Sequence, residues 1–591
     1  MDFRSILAEA PLFASLSPQA LDELAQLCEP VELASGQILF KEGDAPAHFY
    51  VIDTGRLRFS TAGVVIAYAG RLEPVGETGV ISGEPRTATA YAIRDSVLLR
   101  IERNAFLIFL TSNPPALITM SRMLVQRLNR NQRAKMLQSA RGTRTLAVLA
   151  ASPDVDAEVF AADLVRNLGA YHSTTRLLRA SDVNGELGAG AATCELTSDR
   201  ADQLTRWLNE LEGQHRYLVY ASGRNTDAWA LRCMRQADRV LVLGNAGAPD
   251  SRSAMIDDLA KSGILAPIEL ALLRHEGTPA GDTLGWLDLT GAVAHYFLHP
   301  GDENDLASLA RQLTGRGIGL VLGGGGARGF AHIGLIRALE HLQIPVDLCG
   351  GASMGAFIAA QLACGWNSAE IEHITRETFV TNNFLNDYTL PRVALIRGRK
   401  FIGRLKSIFG ERRIEDLPLS YFCVATNLTS GRAAVQDRGP LDIWLGTSMA
   451  VPGIAPPVAY KGDLLCDGAV INSLPTDVMQ GLERGPIIAS DVSTEGDIRA
   501  PGAGMDGPDP NALLRWRGPG EPPSLRDVLF RTATLTSESG TLRRAERADL
   551  YIHMPVEGIG MFDWKRMDEL IERGYQHALK QLQPARETLL R

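Results

Sequence analysis

The chain has 591 residues with 45% hydrophobic and 22% charged side chains, a globular composition that excludes wholesale disorder. Its formal net charge of −8 counts against a generic nucleic-acid binder, and its length predicts about four domains. The seven cysteines form no CxxC and no Cys/His group with metal-ligand spacing, so no metal is expected and the thiols are expected reduced. With no secretory leader and no apolar run of membrane-spanning length, the expected location is cytoplasmic, with any membrane contact peripheral.

The first 135 residues alternate short β-rich runs with glycine turns. VELASGQILFKEGD, HFYVIDTGRLRFS and ATAYAIRDSVLLRIE turn at Gly36, Gly43 and Gly55, which predicts a small β-roll. Helices are expected on either side, SPQALDELAQLC before it and NAFLIFLTSNPPALITMSRMLVQRLNRNQRAKML after it. Pro114-Pro115 divides the second into two. From 143 to 310 the apolar runs TLAVLAA, RYLVYAS, RVLVLGN and IELALLR alternate with helix-length segments, the rhythm of a parallel sheet covered by helices. PDVDAEVFAADL, after the first of these strands, lacks a phosphate-binding glycine-lysine loop, so this segment is expected to be a Rossmann-like scaffold without a site.

A third unit spans 315–591. GIGLVL and IPVDLCG read as strands around the helix ARGFAHIGLIRALEHL, with Phe330, Ile333, Ile336 and Leu339 on its core side. YFCVATN, PIIASDV and DLYIHMP are further strands, and the Pro/Gly-rich stretch from 500 to 524 is expected to be a loop.

The chemistry concentrates in this unit. Gly351-Ala352-Ser353-Met354-Gly355 joins a strand to a helix, the context in which GxSxG forms a nucleophile elbow and projects the serine at the sheet's carboxyl edge. The bland alternative is a tight turn with an incidental serine. A serine nucleophile needs a base and oxyanion donors. Gly323-Gly324-Gly325-Gly326-Ala327-Arg328-Gly329 offers bare backbone amides for the oxyanion. The same loop satisfies GxGxxG at Gly324, Gly326 and Gly329, with Asp347 where a ribose-binding acid would stand, so a dinucleotide site competes. The GxSxG that follows at once weighs against it. For the base, His373, His553 and His577 qualify by chain order. Asp467, in the glycine-framed turn Asp467-Gly468-Ala469, is the rival; an ordinary Asp-Gly turn is its plain reading.

GGGGARG, GASMG and DGA in that order, with SMAVPGIAPPV at 448–458, resemble the patatin-like phospholipases. The resemblance implies a three-layer α/β/α hydrolase domain working with a Ser-Asp dyad and no catalytic cofactor. It assigns the nucleophile to Ser353 and the base to Asp467. The oxyanion donors become Gly324, Gly325, Gly326 and Arg328, and the elbow glycines Gly351 and Gly355. The family's glycine loop often begins with Asp, where this chain has Gly323. At the N-terminus, Gly76-Glu77-Thr78-Gly79 and Pro85-Arg86-Thr87-Ala88-Thr89-Ala90 resemble the phosphate-binding cassette of cyclic-nucleotide-binding domains. That resemblance implies cAMP or cGMP as a regulatory ligand, with Arg86 on the phosphate, Glu77 on the ribose, and Gly76 and Thr87 completing the site. Both modules on one chain resemble bacterial relatives of neuropathy target esterase. The activity so implied is hydrolysis of a lysophospholipid or another fatty-acyl ester. The competing readings are a non-enzymatic cyclic-nucleotide-responsive regulator and a dinucleotide-dependent oxidoreductase. The first would need a helix-turn-helix, and after residue 130 there is only the basic stretch RLNRNQRAKMLQSARGTR before the α/β strands.

Overall fold

The computed structural model describes residues 2–590 apart from 14–15, 62–63, 115, 118–142, 196–197, 224–226, 248–253, 262–265, 276–280, 383, 391, 495–512, 514, 516–527 and scattered positions from 529 to 542. The chain divides into two compact units, Met1–Thr314 and Gly315–Arg591.

The first unit opens with the β-roll. Two four-stranded antiparallel sheets, centred on the strands Ser96–Glu102 and Thr89–Ala92, are linked by turns at Gly36, Gly43 and Gly55, whose φ values of 89°, 89° and 98° only glycine adopts readily. The helices Pro18–Gln26 and Arg103–Ser112 close one side, where Phe49 stacks on Phe106 at 4.0 Å. Of the helix expected beyond Pro115 only Ala116 and Leu117 are described, both helical; the rest lies outside the described residues, as does most of the basic stretch that follows it.

The second part of this unit is a six-stranded parallel sheet in the order Thr175–Leu178, Tyr217–Ser222, Thr145–Ala150, Arg239–Asn245, Ile268–Leu273, Ala294–Leu298. The two outermost strands were not legible in the sequence, because each is short and mixes polar with apolar residues. After the first strand in sequence, Asp156 caps the helix Ala157–Tyr171, accepting from the amides of Glu158 (3.0 Å) and Val159 (3.2 Å). A carboxylate thus occupies the helix N-terminus, where a bound phosphate would otherwise sit. Buried charges join roll to sheet. Arg94 pairs with Glu212 at 2.8 Å and donates to the carbonyls of Gln236 and Gly55, while Arg56 pairs with Asp238 at 3.2 Å.

The second unit is built on one mixed sheet. Ser420–Asn427, Leu348–Ala352, Gly319–Leu322, Ile487–Asp491 and Leu550–His553 run parallel, and Asp463–Asp467 and Val458–Tyr460 extend the first edge antiparallel. Alternation along the central strand makes three layers. Leu320 and Leu322 enter one core with Phe357 and Leu339, and Val321 enters the other with Leu474 and Met479. The predicted stripe Phe330, Ile333, Ile336 and Leu339 is buried. Against that helix, Ala331–His341, lies the long C-terminal helix Met567–Leu590. The two approach through glycines: a Cβ on Gly334 would stand 2.2 Å from the Ile571 carbonyl oxygen, and one on Gly574 2.4 Å from that of Ala331. The stretch expected to be a loop, 500–524, lies almost wholly outside the described residues. No helix among the described residues is long and apolar enough to cross a membrane.

Candidate active site

Ser353 stands where the strand Leu348–Ala352 meets the helix Met354–Ala363, with φ 51° and ψ −123°. Backbone strain of this kind in a non-glycine residue persists only when its surroundings enforce it. Here they do. A Cβ on Gly351 would lie 2.4 Å from the Leu322 carbonyl oxygen, and one on Gly355 2.1 Å from the same atom. The elbow therefore requires glycine at both positions. A further restraint comes from Ser448, whose Oγ accepts from the Ser353 amide at 3.1 Å and donates to the Val424 carbonyl at 2.6 Å.

The Ser353 hydroxyl donates to Asp467 Oδ2 at 2.7 Å. Asp467 ends the antiparallel strand Asp463–Asp467, and its Oδ1 accepts from the Ala469 amide at 2.8 Å. Gly468 lets the turn close, since a Cβ there would meet the Val424 carbonyl oxygen at 2.1 Å. Asp467 is 1% exposed. Burial pushes its carboxyl up from 3.8 to about 7, while the hydrogen bonds from Ser353 and Ala469 pull the other way. A carboxyl in that range exchanges protons near neutrality.

The glycine loop lies beside the elbow but divides its amides differently from expectation. Gly324 donates its N–H to the Ser473 carbonyl at 2.9 Å, so it is not free to receive an oxyanion. Its lack of a side chain serves close approach instead, because a Cβ there would be 3.3 Å from Ser353 Cβ. The amides of Gly325 and Gly326 donate to no protein group among the described residues, and Gly326 lines the same cavity as Ser353. Arg328 is buried and donates from Nε to the Ile559 carbonyl at 2.7 Å, which ties the loop to the C-terminal segment; it does not line the cavity. His332 carries no motif that marks it in the sequence. It is fully buried, with Nδ1 2.8 Å from Ser490 Oγ and Nε2 2.9 Å from the Gly323 carbonyl, and burial pushes it down to about 4. A neutral imidazole thus holds the start of the loop.

The dinucleotide reading fails on Asp347. Its carboxylate accepts from the Ile318 amide at 2.8 Å, at the amino end of the strands, opposite the glycine loop. The three candidate histidines are engaged elsewhere. His373 is exposed and faces Glu377, His553 lies 3.6 Å from Asp491, and His577 is carried on the C-terminal helix.

Ser353 opens into a cavity of about 500 Å³, walled by apolar side chains that include Phe379, Phe401, Ile402, Met449 and Trp564. No group of three or more His, Cys, Asp or Glu side chains among the described residues could hold a metal ion.

An NTE family protein of Mycobacterium tuberculosis (strain CDC 1551 / Oshkosh) is 30% identical to this chain over 98% of it and 97% of the relative. The chain belongs to the neuropathy target esterase family. Three family models divide this esterase among them: cyclic nucleotide-binding domain over 30–113, neuropathy target esterase family P-loop like domain over 142–299, and patatin-like phospholipase over 320–479. Human patatin-like phospholipase domain-containing protein 6 is 28% identical over 92% of the chain, and the lysophospholipase nte1 of Aspergillus fumigatus 28% over 97%. The chain spans 44% and 43% of those two longer proteins. This member of the family is a lipid ester hydrolase of the patatin-like phospholipase class.

In the β-roll of this esterase, Gly76 at φ 82° precedes the short helix Glu77–Ser82, and Glu77 and Arg86 are both buried. Arg86 donates to the carbonyls of Gly76 (2.9 Å) and His48 (2.5 Å) and lies over the Phe40 ring. Thr87 offers its carbonyl to the Thr61 hydroxyl at 2.9 Å. The cassette residues are therefore together, with the arginine turned onto backbone carbonyls.

Proposed function

We propose that the esterase cleaves the acyl ester of a lysophospholipid or a related fatty-acyl ester through a dyad of Ser353 and Asp467. Asp467 takes the hydroxyl proton as Ser353 Oγ forms a bond to the ester carbonyl carbon. The carbonyl oxygen becomes an oxyanion, received by the unengaged amides of Gly325 and Gly326. As the intermediate collapses, the carbon–oxygen bond to the alcohol breaks and the Asp467 proton passes to the leaving alkoxide. Water then gives a proton to Asp467 and its oxygen to the acyl carbon. The fatty acid departs, and Ser353 recovers its proton.

The observation that carries this reading is the 2.7 Å hydrogen bond from Ser353 to a carboxylate raised to about 7, on the wall of an apolar cavity. An acyl-ester panel on wild type and Ser353→Ala tests it. Hydrolysis is expected from wild type alone, and hydrolysis retained by the variant would refute it.

A second module supports regulation. The assembled cassette at Gly76, Glu77, Arg86 and Thr87 would take cAMP or cGMP once Arg86 exchanges its carbonyl partners for the cyclic phosphate. Coupling requires that the nucleotide bind two states of the enzyme unequally. Calorimetry with each nucleotide, on wild type and Arg86→Ala, should give binding to wild type only. Hydrolysis rates unchanged by saturating nucleotide would rule the coupling out.

A further inference from the structure

The cavity wall is apolar with three exceptions that carry a hydroxyl or a charge: Ser353, Arg397 and Arg399. Neither guanidinium makes an ion pair or hydrogen bond with a protein group among the described residues, and both are exposed. Their backbone, by contrast, is firmly held. Ile396 donates to the Ile454 carbonyl at 3.0 Å and Arg397 to that of Asp387 at 2.8 Å. The Asp387 carboxylate accepts from the amides of Gly398 (3.3 Å) and Lys400 (3.2 Å). Gly398, at φ 74°, turns the chain between the two arginines.

The helix that follows takes the anion at its N-terminus, Asp387, from outside its own sequence. Arg399 and Lys400 open the helix Arg399–Phe409, which has no acidic residue in its first turn. Cations at a helix N-terminus oppose the macrodipole, and acidic side chains are the favoured choice there. Arg397 and Arg399, exposed and without a side-chain partner among the described residues, line the cavity that holds Ser353, Arg399 from the first position of its helix, and this pair is arranged for an anion arriving with the substrate.

We propose that Arg397 and Arg399 bind the phosphate of the substrate's headgroup while the acyl chain fills the apolar cavity and its ester reaches Ser353. This deepens the esterase reading and rests on it. It makes the preferred substrate an anionic-phosphate glycerolipid rather than a neutral acylglycerol. The same chemistry could come from the phosphates of an anionic lipid surface, and the test separates the two sources.

The full-length Ser353→Ala protein is titrated with an ether-linked lysophospholipid, which has no ester to cleave, and with the alkylglycerol of the same chain length. Both are kept below their micelle thresholds. The titrations are repeated with Arg397→Gln and Arg399→Gln added. The double substitution should weaken the phosphate-bearing ligand at least tenfold and leave the alkylglycerol within twofold; Arg397→Lys with Arg399→Lys should recover part of the loss. Equal losses for both ligands, or none for either, would overturn the proposal. So would an unchanged monomer affinity coupled with lost sedimentation on phosphatidylglycerol vesicles, which would assign the arginines to a lipid surface. Because the measurement is binding, it stands even if the dyad reading fails, and that failure would be seen separately as hydrolysis by Ser353→Ala.

Discussion

Ser353 Oγ and Asp467 Oδ2 stand 2.7 Å apart although 114 residues separate them in the chain. They are carried by two strands that flank a third. Ala352 pairs with Val424 and Asp467 with Ala425, so Ser420–Asn427 fixes their separation through its register. The contact is therefore a property of the sheet, and the proposed dyad would be held before any substrate arrives.

Replacing either partner should remove most of the activity. A positioned general base contributes about 10²–10⁴-fold, so Asp467→Asn is expected to lower kcat by that range with KM little changed. Ser353→Ala should go lower still. Circular dichroism of both should match wild type.

The pH profile follows from the same carboxyl. Asp467 accepts a proton only when ionised, so kcat/KM should rise with pH through about 7 and level off above it. Stability runs the other way. The folded protein holds this proton to a higher pH than the unfolded chain, whose carboxyl titrates near 3.8, so its contribution to stability is lost as pH climbs from there through about 7. Asp467→Asn removes that dependence. Its midpoint of urea unfolding relative to wild type should increase across this window, and a flat difference would contradict the assignment.

Gly351→Ala and Gly355→Ala each bring a methyl group within 2.4 Å of the Leu322 carbonyl oxygen. Each should destabilise the second unit by about 1–3 kcal/mol and reduce kcat beyond what the stability loss explains. Thermal denaturation and activity on the same preparations would check both.

Ser448 acts through Ser353 by holding its amide. Ser448→Ala leaves that buried N–H without its acceptor, a penalty of about 1–3 kcal/mol. A positioning role predicts a fall in kcat with KM preserved and partial recovery in Ser448→Thr. A loss confined to thermal stability would mean the contact is structural only.

In the first unit, Arg94→Ala would strand the Glu212 carboxylate in the buried junction between roll and sheet. Breaking such a pair from one side typically destabilises by about 3–5 kcal/mol. A double-mutant cycle with Glu212→Gln, followed by denaturation, should return a strong favourable coupling.

Much of this architecture was legible in the sequence where periodicity is strong. The parallel strands around Leu320, Gly350 and Ile488 are apolar runs bounded by glycine or proline, and GxSxG located the elbow. The antiparallel strand that carries Asp467 was not legible as a strand, because its five residues, DLLCD, follow a Lys-Gly turn and show no alternation. The division of labour within the glycine loop was also hidden. Nothing in GGGGARG distinguishes Gly324, whose amide is taken by Ser473, from Gly325 and Gly326, because the difference arises from a partner far along the chain. Ser448 could have been found, as it opens the block SMAVPGIAPPV that carried the family resemblance. His332 could not, since a lone histidine in an apolar helix reads as core.

The most direct test of the dyad is covalent. Wild-type protein treated with a fluorophosphonate and digested should carry the adduct on Ser353 alone. Labelling should be absent in Ser353→Ala and at least a hundredfold slower in Asp467→Asn, in line with the contribution of a general base. An adduct on another residue, or undiminished labelling of the Ser353→Ala protein, would contradict the account.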